Sequence, residues 1–89
     1  MATVDTETVL NRARLALDAS DVGTAILEGD MDEARFRAHL MRSQALELGL
    51  DDVAHAALLV IVLLPPTARL PCRGIGRALL RLCNSLAVH

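Results

Sequence analysis

The stretch that decides the fold runs from Gly29 to Leu50, GDMDEARFRAHLMRSQALELGL. It reads as one amphipathic helix of about five turns, with Asp30 as N-cap and Gly49 as the C-terminal stop. At about 100° per residue, Met31, Ala34, Ala38, Met41, Ala45 and Leu48 fall on one side, three and four residues apart. His39 lies well away from that stripe. Its neighbours one turn before and after include Arg35, Arg42 and Ser43, which puts it on a polar face beside cations and a small residue. A lone helical histidine is usually a bystander. The two arginines and the small residue one turn on are what single this one out.

Working outward toward the N-terminus, a first helix is expected over 6–18, with Glu7 set against the helix dipole. Val9, Leu10, Ala13 and Leu17, with Ala16, make its apolar side, and Arg12 and Arg14 point outward. Asp18–Asp21 followed by Gly23 reads as a break, and 22–28 as a short helical turn closed by Gly29. On the other side, Asp51-Asp52 restart the chain as a capped helix over 52–64. The run Val53–Leu64, VAHAALLVIVLL, is apolar nearly all round. A small bundle can hardly cover such a helix, so part of it is expected to be shared in a homodimer or larger oligomer. Leu58–Leu64 also has the β-branched residues of a buried strand; the capping acids and Ala54, Ala56 and Ala57 favour helix. His55, one turn in, reads as a structural or exposed histidine rather than a ligand.

Pro65-Pro66 ends that helix, and the stiff loop Pro65–Arg73 is expected to cross the end of the bundle. The last helix, over 74–87, repeats Ile75, Leu79, Leu82 and Leu86 at 4-3-4, widened by Leu80, Cys83 and Ala87. Arg73, Arg77 and Arg81 line up at i, i+4, i+8 on another face. They make either an ordinary solvated cationic face or a strip for an anion, for a partner, or for the acidic N-terminal half of the chain. The whole is therefore expected to be one all-α domain over 1–89, a small antiparallel bundle of three to four main helices.

Composition agrees. Phe36 is the single aromatic residue, so the core must be aliphatic, which suits close-packed helices better than a sheet sandwich. All eleven acids lie in residues 1–53 against five arginines, a net −6; residues 54–89 hold four arginines and no acid, a net +4. Cys72 and Cys83 are too few for a disulfide framework and lack zinc-ligand spacing, so both read as reduced thiols, Cys83 buried and Cys72 near the surface. The acidic start MATVDTETV is no secretory signal, and Val53–Leu64 falls well short of the ~20 residues needed to cross a bilayer as a helix. A cytoplasmic protein without a membrane partner follows. Nucleic acid is not the expected partner of Arg69, Arg73, Arg77 and Arg81, because lysine and stacking aromatics are missing and the chain is acidic overall. No Ser-His-Asp, Cys-His, paired-carboxylate or metal-ligand pattern stands out.

The central stretch resembles the histidine phosphotransfer domains, whose helix carries the form G-D-x-x-x-(x)5-H-x-L-K-G-S-x-x-x-x-G. Gly29 and Asp30 stand ten and nine residues before His39, and Gly49 stands ten after it. Met41 takes the place of the family's Leu, Arg42 that of its Lys and Ser43 that of its Gly. The match covers roughly residues 26–57 and includes the Leu48-Gly49 stop and the VAHAA start of the next helix. The resemblance implies an exposed mid-helix histidine that accepts and passes a phosphoryl group, a relay intermediate rather than a conventional enzyme. On that reading His39 is the acceptor, Arg42 steadies the phosphoryl oxygens, Arg35 adds positive potential, and Ser43 and Leu46 belong to the docking face. Its partner would be a response-regulator receiver domain or a sensor kinase. The receiver would bring the aspartate and Mg²⁺, so no cofactor or metal of this chain's own is implied.

A second, more local likeness lies over 73–80. Arg73-Gly-Ile-Gly-Arg-Ala-Leu-Leu looks like the acetyl-CoA-binding turn of the GNAT acetyltransferases, where glycine amides ahead of a helix cradle a pyrophosphate. That fold needs about twice this length and a sheet. The remaining alternative is a non-catalytic interaction or adaptor module that dimerises through the apolar helix 53–64.

Overall fold

The computed structural model describes residues 6–67, 70 and 72–86. These form four helices, α1 (Thr6–Leu27), α2 (Met31–Glu47), α3 (Asp51–Val62) and α4 (Ile75–Leu86), with no strand among the described residues. Each helix packs on two others, α1 and α3 both lying against α2 and α4, so that the four close a ring. The strand alternative for Leu58–Leu64 falls: α3 is helical to Val62, and Leu63 and Leu64 turn out of it.

Two near-identical turns set the antiparallel order. At the end of α1, Gly29 (φ 78°) lets its own N–H donate to Ile26 O and the Asp30 N–H donate to Ala25 O. At the end of α2, Gly49 (φ 74°) does the same, its N–H donating to Leu46 O and that of Leu50 to Ala45 O. Both are Schellman stops, which need a residue free to take positive φ. Asp30 then caps α2, its carboxylate accepting the Glu33 N–H at 3.1 Å. Connections this short force consecutive helices to run side by side in opposite directions.

The core is built for close approach. Among the described residues, half of the eighteen buried apolar ones are alanine, including Ala34, Ala38 and Ala45 of α2, and no charged or polar residue is buried with them. Small side chains let helix axes approach toward the ~8 Å limit, and Met31 and Met41 fill the gaps left between the alanines. Leu15, Leu64 and Leu82 supply the bulk.

Several details differ from the sequence reading. The first helix runs unbroken through Gly23, because burial of Val22 and Ala25 on either side outweighs the ~1 kcal/mol helix cost of one glycine. The face of α1 that enters the core is Leu15, Ala19, Val22 and Ala25, whereas Leu10 and Leu17 are 61% and 70% exposed. The Gly29 turn explains the reversal: it ties down Ala25 and Ile26, and with them the side of α1 that meets α2. Arg37 holds that rotation from the other helix, reaching Asp21 at 3.3 Å. Arg12 is not outward either; its guanidinium donates to Ser85 O of α4 at 2.7 Å.

At the far end of α2, Leu48 is the C-cap and exposed rather than part of the buried stripe. The N-cap of α3 is Leu50, without a side-chain cap bond; Asp51 and Asp52 sit in the first turn, where they act on the dipole instead. The bundle covers α3 better than expected, burying Val53, Ala54, Ala56, Ala57, Val60 and Leu64, and leaves Val62 as its most exposed apolar residue. In α4 the buried line is Ala78, Leu82 and Leu86, with Ile75 and Leu79 packed against it. Leu80 and Cys83 lie off that line and are exposed, so the thiol expected to be buried is at the surface with Cys72. Ala87, like Arg69 and Pro71 of the loop, lies outside the described residues. Among the described residues, no helix is long and apolar enough to cross a membrane.

Candidate functional site, the outer face of α2

The same pattern that buries Ala34, Ala38 and Met41 turns His39 to the opposite side of α2. His39 is exposed, at the middle of the seventeen-residue helix, and its ring makes no hydrogen bond or ion pair within the described residues. Around it the surface is mixed. Phe36, Leu40 and Leu46 are 62%, 43% and 50% exposed, and Ser43, one turn on, is exposed and small. An exposed imidazole without a partner is available to a reactant, with apolar contact area beside it for a partner surface.

The three arginines of α2 have different work. Arg37 pairs with Glu33 at 2.6 Å and Asp21 at 3.3 Å, locking α2 to α1. Arg35, proposed from the sequence as added positive potential beside His39, is largely buried along its side chain. It donates to Pro65 O at 3.0 Å and pairs with Asp32, so it straps the α3–α4 connector to α2 and its charge is locally balanced. Arg42 is half-buried and makes no ion pair or hydrogen bond within the described residues, which leaves it as the uncommitted cation one turn from His39. Sequence spacing alone could not separate Arg35 from Arg42, because Arg35's partners come from the connector.

The other candidates lie elsewhere. His55 is exposed near the start of α3. Arg73, Arg77 and Arg81 are exposed, with no ion pair to an acid of the N-terminal half among the described residues. Arg77 and Arg81 instead border an open groove of about 300 Å³ between α3 and α4, floored by Leu59, Val62, Leu63 and Ala78. Sequence reading missed that groove, since it needs two helices to form. The apolar run ahead of the 73–80 glycine turn is helix α3, not the strand that the acetyl-CoA turn requires. No group of three or more His, Cys, Asp or Glu among the described residues could hold a metal ion. No family model, curated protein or solved structure matches this chain.

Proposed function

We propose that this protein is a histidine phosphotransfer intermediate of a two-component relay in the cytoplasm, taking a phosphoryl group on His39 and passing it on. The observation that supports this reading is the free, exposed imidazole at the centre of α2, with Arg42 and Ser43 one turn on, inside an antiparallel four-helix bundle. A lone pair of a neutral His39 ring nitrogen attacks the phosphorus of a receiver's aspartyl phosphate. The P–N bond forms as the P–O bond to the aspartate breaks, and the carboxylate leaves with the electron pair. Transfer onward is the same step reversed.

Positioning does most of the work in such a transfer. The Arg42 guanidinium supplies forked donors to the phosphoryl oxygens. Ser43 leaves space for the receiver's active-site loop, while Phe36, Leu40 and Leu46 give the receiver or sensor kinase an apolar surface to dock on. Incubation with a phosphorylated receiver, or with phosphoramidate, should give a label that acid removes and base leaves. His39→Gln should abolish it with helicity intact, and Arg42→Ala should slow transfer about tenfold, the effect of losing one charge-assisted hydrogen bond. Absence of label from every donor would defeat the proposal.

The second reading, a non-catalytic interaction module, has one observation in its favour: the apolar groove beside Val62 with arginines on its rim. It predicts that Val62→Glu removes the biological activity while His39→Gln does not.

A further inference from the structure

The groove between α3 and α4 is where the uneven charge of this chain becomes a local surface. Its floor is Leu59, Val62 and Leu63 of α3 with Ala78 of α4, and its charged lining is Arg77 and Arg81, one turn apart on α4. Val62 is 64% exposed there, so the floor keeps apolar area that the bundle does not cover. One end is anchored by the backbone. The Cys72 N–H donates to Leu63 O at 2.8 Å, and Gly74, at φ 94°, passes so near that a Cβ on it would lie 3.9 Å from Leu63 Cδ1. An end tied down in this way leaves the groove preformed, which lowers the ordering cost of binding.

No acid of the chain balances these arginines. Residues 54–89 contain no Asp or Glu, and among the described residues none from α1 or α2 lines the groove. On the same side of α3 the nearest acid is Asp52, two turns before Leu59 and therefore about 10 Å further along the axis. That carboxylate lies 3.8 Å from the Arg12 guanidinium. Asp51 is one residue farther still. His55, one turn before Leu59, and Arg73, in the turn ahead of α4, are both exposed and bring no negative charge. The groove is thus apolar along its floor and cationic along one wall.

We propose that this groove binds an amphipathic helix of another protein, one whose apolar stripe is flanked by acidic residues a turn apart. An open groove covers only one side of its occupant, and an amphipathic helix has only one apolar side to hide. Arg77 and Arg81 repeat at helical spacing, so carboxylates one turn apart on the incoming helix meet both guanidinium forks. An acyl chain with a single anionic head fits less well, because sites for small molecules enclose about 70–90% of the ligand and this groove leaves one side in water. Nucleic acid has no apolar stripe, and the floor offers no aromatic ring for a base to stack on. The arginines steer and select the partner, and the leucines and Val62 hold it. This inference deepens the interaction-module reading, on whose groove it rests, and does not depend on phosphoryl transfer at His39.

Fluorescence anisotropy of the full chain with a labelled helical peptide, and no phosphodonor present, tests it. The probe is about five turns long, with leucines at three- and four-residue spacing and glutamates flanking them. A micromolar dissociation constant is expected at low salt, weakening as salt rises. A second peptide with lysine for every glutamate should bind about tenfold more weakly or worse. Val62→Glu, and Arg77→Glu combined with Arg81→Glu, should each weaken the acidic peptide by about tenfold or more. Their circular dichroism spectra should not change, since all three side chains are exposed. The double reversal should in turn prefer the lysine peptide. Leu17→Glu, on α1 and away from the groove, should bind as the wild type does. Equal binding of the two peptides, tighter binding of laurate than of the acidic peptide, or self-association of the chain that Val62→Glu abolishes would each overturn the proposal. Failure of the acidic peptide to bind would overturn it too; if Val62→Glu still removed the biological activity, the interaction-module reading would stand without this partner.

Discussion

Helices α1 and α2 lie side by side and share a turn, yet α1 carries leucines on two opposite faces, whereas α2 keeps a single stripe of alanine and methionine for the core. In α2 the apolar stripe enters the core, and the outer face is left to His39 and its neighbours. In α1 a stripe of Leu15, Ala19, Val22 and Ala25 goes in, and the leucines at positions 10, 17 and 27 stay out. Hydrophobic content therefore does not decide which face is buried when a helix offers two. The tight turn at Gly29, the Arg37 pairs and the need for small residues against the alanines of α2 decide it.

The sharpest way to break this comparison is to truncate one leucine from each face of α1. Leu15→Ala removes a side chain that is 1% exposed and should cost about 2–5 kcal/mol, read as the midpoint of urea unfolding. Next in size, Asp30→Ala takes away the carboxylate that caps α2 and should cost about 1 kcal/mol by the same measurement. Gly23→Ala should act in the other direction, raising stability by about 0.5–1 kcal/mol. Its backbone is helical, and an added methyl group would meet nothing within 4 Å. Leu17→Ala, only two residues from Leu15, should shift the unfolding free energy by less than about 0.5 kcal/mol. Equal losses for Leu15→Ala and Leu17→Ala would mean that α1 is rotated from the position described.

The fold class was legible because the signals that carry it are local. Asp30, Gly29, Gly49 and Pro65 bound helices wherever they occur at such spacings, and the stripe from Met31 to Ala45 has one possible core side. The rotation of α1 was not legible, since a face with Leu10, Leu17 and Leu27 competes with one of Leu15, Ala19, Val22 and Ala25, and only contacts with other helices choose between them. The break read at Gly23 failed for a related reason: glycine is punctuation only where burial does not override it. At the candidate site, the exposure of His39 followed from its angle on the helix wheel. The difference between Arg35 and Arg42 did not, because Pro65 and its carbonyl arrive from thirty residues away.

The central claim, that α2 presents His39 as a phosphoryl acceptor, is tested most directly by locating the label. The protein is incubated with a phosphorylated receiver, digested at alkaline pH and analysed by mass spectrometry, with His55, the other exposed histidine described, as the internal comparison. The account predicts one phosphoryl group per chain, on the peptide containing His39, lost in acid and absent from His39→Gln. Phosphate on His55, or no phosphate on either histidine with the bundle intact, would contradict it.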